Sequence, residues 1–325
     1  MASTVTHAYF ITDVYEKLPI KRKVFLKNEK DNLKTFAQSL DPLYFYFSFN
    51  LKKGKKIREF GNYFHNKKTG EYLITLINYI KYNYYKNNPQ VMSFLYGMIS
   101  HYILDSKIHP YIFYKTGSFN PKNKDTFKYN AKHHIYETAI DEYLIETREK
   151  IPAWKYKHYD LIFKKNNYSK ELIDVIDFSF KETYNVDSFS KILKKSTKNM
   201  KTAFRLLRYD PTKIKFYGYK LIDTLTPKST LNLSFLSYHN YTRNIDFLNL
   251  QKNKWNYPTN KRKCFSKSFI ELYVEALNEC VNIIKEIDLY IYNDRKVNLK
   301  NLIKNYSYST GVDLSRKQEL KYFEY

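Results

Sequence analysis

Four of the 8 histidines in this chain fall between residues 101 and 134. His101, Asp105 and His109 follow one another at i, i+4 and i+8, a spacing that stacks three side chains on one face of an α-helix, each turned about 40° from the last. His133 and Glu137 repeat the i, i+4 step downstream. Imidazole nitrogens and carboxylate oxygens converging from two helices are a donor set that Zn²⁺ prefers. A lone histidine on an apolar helix face is more often a core or supporting residue. The constellation alters that balance, because Asp105 beside Met98 and Tyr102 is costly to bury unless it is paired or metal-bound. Gly97 lies on the same row, four residues before His101. Glycine inside a helix costs about 1 kcal/mol relative to alanine, so it reads as making room beside the cluster. Pro110 is expected to end the helix at His109 and let that imidazole swing inward. His7, His65 in G-N-Y-F-H-N-K-K-T-G and Asp41 in S-L-D-P could complete such a site, although Asp41 also has the plain reading of a turn or capping residue.

The elements that must hold these residues read as helices throughout. His7, Ile11, Val14 and Leu18 share a face, and Pro19 closes that first helix. A second is expected from about Lys30 to Ser39, ahead of Pro42, and a third from Thr69 to about Tyr85 with Leu73, Leu76, Ile77 and Ile80 inward. The fourth opens near Pro89 and carries the His101–Asp105 row. Residues 115–130 read as a polar loop, and a helix from about Ala131 to Arg148 holds His133 and Glu137. Ser169 is expected to cap a helix that buries Leu172, Ile173, Ile176 and Phe180. Another follows Asp187, with Phe189, Leu193, Ser196, Met200, Phe204 and Leu207 in line. Residues 209–263 give no regular pattern. A long helix from about Ser266 to Asn293 shows Ile270, Val274, Leu277, Val281 and Ile284 as its stripe. The fold class is all-α: a single multi-helix bundle over 1–293 with a metal cluster buried between helices. The candidate ligands lie within 1–150, a helical continuation spans 151–293, and a polar tail follows over 294–325, loose after about Ser307.

Composition bounds the partners. Lys and Arg (56) exceed Asp and Glu (32), a net charge of +24. That charge suits nucleic acid, anionic phospholipid or another phosphate-bearing partner. The basic residues are scattered, however, and abundant Lys, Asn, Ile and Tyr are also what an AT-rich genome writes into any protein. The 34 tyrosines and 23 phenylalanines run at helical spacing and read as core. Two cysteines argue against a disulfide scaffold, and Cys280, in register with Leu277, Val281 and Ile284, reads as a small buried hydrophobe. No signal peptide and no run of roughly 18 apolar residues is visible, so a soluble, cytoplasmic protein is expected.

The motifs resemble a known family. T-H near the start, Asp41 followed by Leu43-Tyr44-Phe45-Tyr46-Phe47, then H-N-K-K-T-G, H-x-x-x-D-x-x-x-H-P-Y and H-x-x-x-E are similar to the zinc-dependent phospholipase C family, and more closely to its uncharacterised cytoplasmic bacterial members. The likeness covers most of residues 1–150 in order. It continues more loosely through Asp246-Phe-Leu-Asn249, Trp255-Asn-Tyr-Pro258 and the last long helix. It implies a helical bundle holding two or three zinc ions in a cleft. Asp41, His65, His101 and Asp105 would form one site, and His109, His133 and Glu137 a second. His7 with a bridging Asp105 would contribute to a third. His134 is either a supporting donor oriented with Asp141 or an alternative to His133. Secreted members of the family free their N-terminal residue as a ligand, and many carry Gly-Pro where this chain has Ser39-Leu40. The implied activity is phosphodiester hydrolysis in a phospholipid by a metal-activated water, with Asp41 as base or water-orienting residue. Its rivals are a zinc-dependent single-strand nuclease or phosphomonoesterase, and a non-catalytic helical binding protein that uses metal only to fold.

Overall fold

The structure, a computed structural model, describes residues 4–47, 51–120, 122–208, 212–225, 233–236, 245–316 and 319–324. Among them the α-helices are α1 (Thr4–Lys17), α2 (Ile20–Phe25), α3 (Lys30–Phe36), α4 (Leu51–Asn66), α5 (Thr69–Tyr82), α6 (Pro89–Thr116), α7 (Lys132–Glu149), α8 (His158–Leu161), α9 (Lys170–Tyr184), α10 (Phe189–Leu206), α11 (Ile214–Leu225), α12 (Phe269–Tyr292) and α13 (Leu299–Leu302). One short antiparallel hairpin joins β1 (Trp255–Tyr257) to β2 (Asn260–Phe265). The all-α architecture is as the periodicity implied. Parts of the unpatterned 209–263 region (209–211, 226–232 and 237–244) lie outside the described residues.

Helix α6 is the axle. It packs against α1, α3, α5, α7, α9 and α12, and most of its 28 residues are buried on every side, the pattern of a helix enclosed by others. Its start is written in the sequence. Pro89 occupies the first helical position, and the Asn88 side chain accepts from the amides of Gln90 and Val91 at 2.9 and 3.2 Å. Its end is not where Pro110 suggests, for the helix runs on to Thr116. Pro110 cannot donate to the Ser106 carbonyl. That carbonyl is instead packed against Gly311, where an added Cβ would lie 2.2 Å from Ser106 O. A neighbouring segment thus covers the broken rung.

Ser169 caps α9 by accepting from Leu172 N at 3.2 Å, and Ser268 forms a reciprocal cap with Glu271 on α12. Two apolar stripes are rotated from their expected positions. Ile173 is 38% and Val274 47% exposed, while α12 buries Phe269, Leu272, Tyr273, Ala276, Ile283, Ile287 and Ile291 together with the expected Leu277, Cys280 and Ile284. Helices α2 and α4 and the hairpin lie where the sequence reading placed no element. The C-terminal segment is not loose. Thr69 Oγ1 donates to Tyr306 O at 2.6 Å, Gly70 N to Asn305 Oδ1 at 2.9 Å, and Tyr306 N to Tyr102 Oη at 3.1 Å. Ser307 N to Val312 O (3.0 Å) and Gly311 N to Ser307 O (2.9 Å) then close a tight turn over α6. Among the described residues no helix is long and apolar enough to cross a membrane.

Candidate metal centre

Five elements bring eight side chains together. On α6, His101 Nε2 stands 3.1 Å from Asp105 Oδ2, and His109 Nδ1 3.6 Å from the same oxygen. Helix α1 supplies His7, whose Nε2 lies 3.1 Å from Asp105 Oδ1 and whose ring stacks on His101 at 4.1 Å. A 3-10 turn, Asp41–Phe45, presents Asp41 Oδ1 3.1 Å from Nε2 of His65 at the end of α4 and 3.9 Å from His101 Nε2. Helix α7 closes the row: His133 Nε2 lies 2.9 Å and His109 Nε2 3.4 Å from Glu137 Oε1. In three groups each residue offers one donor atom within 4.8 Å of the others: His7–His101–Asp105, Asp41–His65–His101, and His109–His133–Glu137. His101 stands in two of them, yet Nε2 has one lone pair and can serve one cation. Asp105, with two oxygens facing His7 and His101, is the residue able to bridge.

The tautomers are set by backbone carbonyls. Nδ1 of His101 faces Ala37 O at 2.9 Å, that of His65 faces Gly61 O at 2.7 Å, and that of His109 faces Tyr308 O at 2.8 Å. A carbonyl only accepts, so each Nδ1 carries the proton and donates it, and Nε2 of the neutral ring is left as a lone pair turned to the cluster. Nε2 of His101 and His109, both oxygens of Asp105, Oδ2 of Asp41 and both nitrogens of His7 are buried with no hydrogen-bond partner. Buried polar atoms are rarely left so, and each costs about 1–3 kcal/mol. With the rings neutral, these converging lone pairs form a cradle for a cation, and nitrogen–oxygen donors of this kind fit zinc.

The charges agree. Burial pushes the Asp105 carboxyl up, but His109, His101 and His7 hold it well below the usual carboxylate range. Asp41 is also lowered, His101 and His65 outweighing burial, and so is Glu137, where His133 and His109 do the same. Burial opposes protonation of His101, yet Asp105 and Asp41 raise it to about 9. His109 is raised by Asp105 and Glu137 against the same opposition. His7 and His133 are lowered, burial outweighing the carboxylates beside them. The three acids therefore stay ionised at neutral pH and attract either protons or a divalent cation.

Three supports for this geometry act in ways that the sequence reading did not give. A Cβ on Gly97 would fall 2.6 Å from Phe36 C and 2.9 Å from Ala37 N. The glycine therefore makes room for backbone rather than for the cluster, letting the Ala37 carbonyl reach His101. Asp141 accepts from Val5 N (3.1 Å), Thr6 N (2.7 Å) and Thr6 Oγ1 (2.8 Å). It thereby anchors the first turn of α1, the helix that carries His7, where a carboxylate also suits the helix dipole. Tyr308, buried in the segment expected to be loose, is the third: its amide donates to His65 O at 2.9 Å and its carbonyl accepts from His109.

A cavity of about 270 Å³ opens over the cluster, lined by Asp41, His65, Asp105, His109 and His133 together with Tyr44, Asn62, Asn66, Asn130 and Ser309. His134 also lines it, and burial pushes its ring down to about 3, so it is neutral. Both of the expected alternatives line the cavity, and His133 also stands against Glu137 and His109.

A buried His–Asp–Glu cradle under a cavity in a helical bundle, with three groups that could each hold a metal ion, defines a candidate metal-binding protein. The sequence model of zinc dependent phospholipase C matches residues 6–186, more than half of the chain, and the chain belongs to that family. The membership supports a zinc phosphodiesterase-type hydrolase acting on phospholipid-type substrates. Searches of curated proteins and of solved structures gave no match.

Proposed function

We propose that this chain hydrolyses a phosphodiester of phospholipid type, binding it in the cavity above the cluster. The observation that carries the reading is the set of buried, hydrogen-bond-orphaned donors that opens onto that cavity. His109, His133 and Glu137 would hold one zinc ion; Asp41 and His65, with His101 or Asp105, a second; His7 with the other oxygen of Asp105 contributes to a third. Zinc, when bound, supplies Lewis-acid activation of water and neutralises charge on the phosphoryl group.

The chain's own residues do the positioning. Tyr44, Asn62, Asn66, Asn130 and Ser309 offer neutral hydrogen bonds to phosphoryl and headgroup oxygens without adding charge. Neutral His134 can donate one N–H there. Asp41 Oδ2 is available to orient the attacking water and accept its proton. Water adds to phosphorus, the ester P–O bond breaks, and the leaving alkoxide takes up a proton.

The net charge of +24 also suits single-stranded nucleic acid, so the test is a substrate panel. Zinc-loaded protein is assayed on a diacyl phospholipid, a single-stranded oligonucleotide and a phosphomonoester. Release of diacylglycerol, lost on chelation and in Asp41→Asn, is expected. Cleavage of the oligonucleotide alone would replace the reading with a nuclease, and zinc-replete protein with no turnover would replace it with a binding protein.

A further inference from the structure

Helix α11 carries an apolar ridge that the other described residues leave exposed. Ile214, Tyr217, Leu221 and Leu225 recur at i, i+3, i+7 and i+11 and are 74, 61, 60 and 76% exposed. At 3.6 residues per turn they fall within about 80° of the helix surface. Gly218 lies at the edge of that stripe, and a Cβ there would meet nothing within 4 Å. The opposite face is the one that holds the helix down. Asp223 accepts from Leu233 N at 2.8 Å, Ser234 N at 2.9 Å and Ser234 Oγ at 2.6 Å, and Tyr219 donates its hydroxyl to Leu206 O. The ridge is therefore turned outward by contacts on its far side.

Charge says what the ridge fits. Lys215 and Lys220 are exposed and lie roughly 100–120° to either side of the middle of the stripe, and Lys213, also exposed, stands just before the helix. The one acid of the helix, Asp223, points inward. Arg205 and Arg208 add exposed positive charge on the preceding segment. An apolar edge flanked on both sides by cations is the pattern of a helix lying in the plane of an anionic bilayer surface, its edge among the acyl chains and its lysines at the lipid phosphates. A second copy of the chain would also cover the ridge, but two partners of +24 each repel one another. The 3-10 turn that receives Asp223 (Leu233–Leu236) packs on α7, so α11 is tied to the helix that carries His133 and Glu137.

We propose that α11 docks the protein on an anionic phospholipid surface through this ridge; the choice of lipid over another apolar partner rests in part on the phospholipase reading. The test is sedimentation of zinc-loaded full-length protein with phosphatidylcholine vesicles, with and without phosphatidylglycerol. Leu221→Glu/Leu225→Glu and Lys213→Glu/Lys220→Glu are compared with the parent, and helicity and zinc content are checked in each. The parent is expected to bind the anionic vesicles, and each double variant at least tenfold more weakly, with helicity and zinc unchanged. Equal binding by the variants, or no binding by the parent, overturns the proposal. So does a dimer in the parent that the leucine variant abolishes, which would assign the ridge to a second copy. Binding is read without turnover, so protein that docks yet cleaves no phosphodiester removes the phospholipase reading and leaves the docking standing.

Discussion

The backbone carbonyl of Tyr308 accepts a hydrogen bond from Nδ1 of His109 at 2.8 Å, across 199 residues of sequence. That bond decides which nitrogen of His109 faces the cluster, and the amide of the same tyrosine secures His65. The C-terminal turn is thus part of the metal cradle, although it lies beyond residue 186, where the family match ends.

Gly311→Ala should expose that dependence. Gly311 sits at φ +62, and an added Cβ would lie 2.2 Å from Ser106 O and 2.7 Å from the Tyr257 hydroxyl. The left-handed conformation alone costs about 1–2 kcal/mol for a residue with a Cβ, and the clash displaces the turn that delivers Tyr308. Zinc affinity, measured by competition with a chelator, should fall about 10–100-fold, the range for lost outer contacts. Unchanged affinity would show that the turn only covers the cluster.

Asp141→Ala removes three hydrogen bonds from the first turn of α1 and leaves buried donors unpaired, a loss of roughly 2–3 kcal/mol. Denaturant unfolding should show it. Because α1 carries His7, zinc bound with His7 should dissociate first, and metal per chain should drop before the helical signal does.

The row on α6 was legible because its side chains recur at the helical period, and so was His133–Glu137. His7 and Asp41 were legible only as candidates. What failed to show had physical reasons. Tyr308 acts through main-chain atoms, which any residue type carries. Helix α4, L-K-K-G-K-K-I-R-E-F-G-N-Y-F-H-N, contains two glycines and five lysine or arginine residues, which mask its Ile57–Phe60–Phe64 face. Pro110 reads as a stop because the local rule is correct. The compensation comes from Gly311, two hundred residues away, and no local window contains it.

Protonation supplies a pH test. The folded pKa of His101 is raised from its ordinary 6.5 to about 9 by Asp105 and Asp41. In metal-free protein its contribution to stability is therefore fully present below pH 6.5 and is lost as pH rises through about 9. Zinc needs the neutral ring, so binding near pH 7 should release at least one proton, and affinity should climb over the same interval. Calorimetric titration in two buffers of different ionisation enthalpy measures that proton. Zinc uptake with no proton release would mean that His101 is already neutral or takes no part.

His133→Ala and His134→Ala, neighbours in sequence, should behave differently. His133 lies 2.9 Å from Glu137, so its loss should empty the His109–Glu137 group. His134 lines the cavity as a neutral ring, so its variant should keep full zinc and show a raised KM. Equal metal loss in both would place His134 among the ligands.

The most direct test of the account is zinc per chain, by elemental analysis, in the parent and in Asp105→Asn, with helicity recorded for each. Asparagine keeps the shape but removes the charge that His7, His101 and His109 surround. Two or three zinc ions in the parent, at least one fewer in the variant, and the same helical signal are the predicted result. Near-zero zinc in parent protein prepared without chelator would contradict the account and reduce the cluster to a buried polar network.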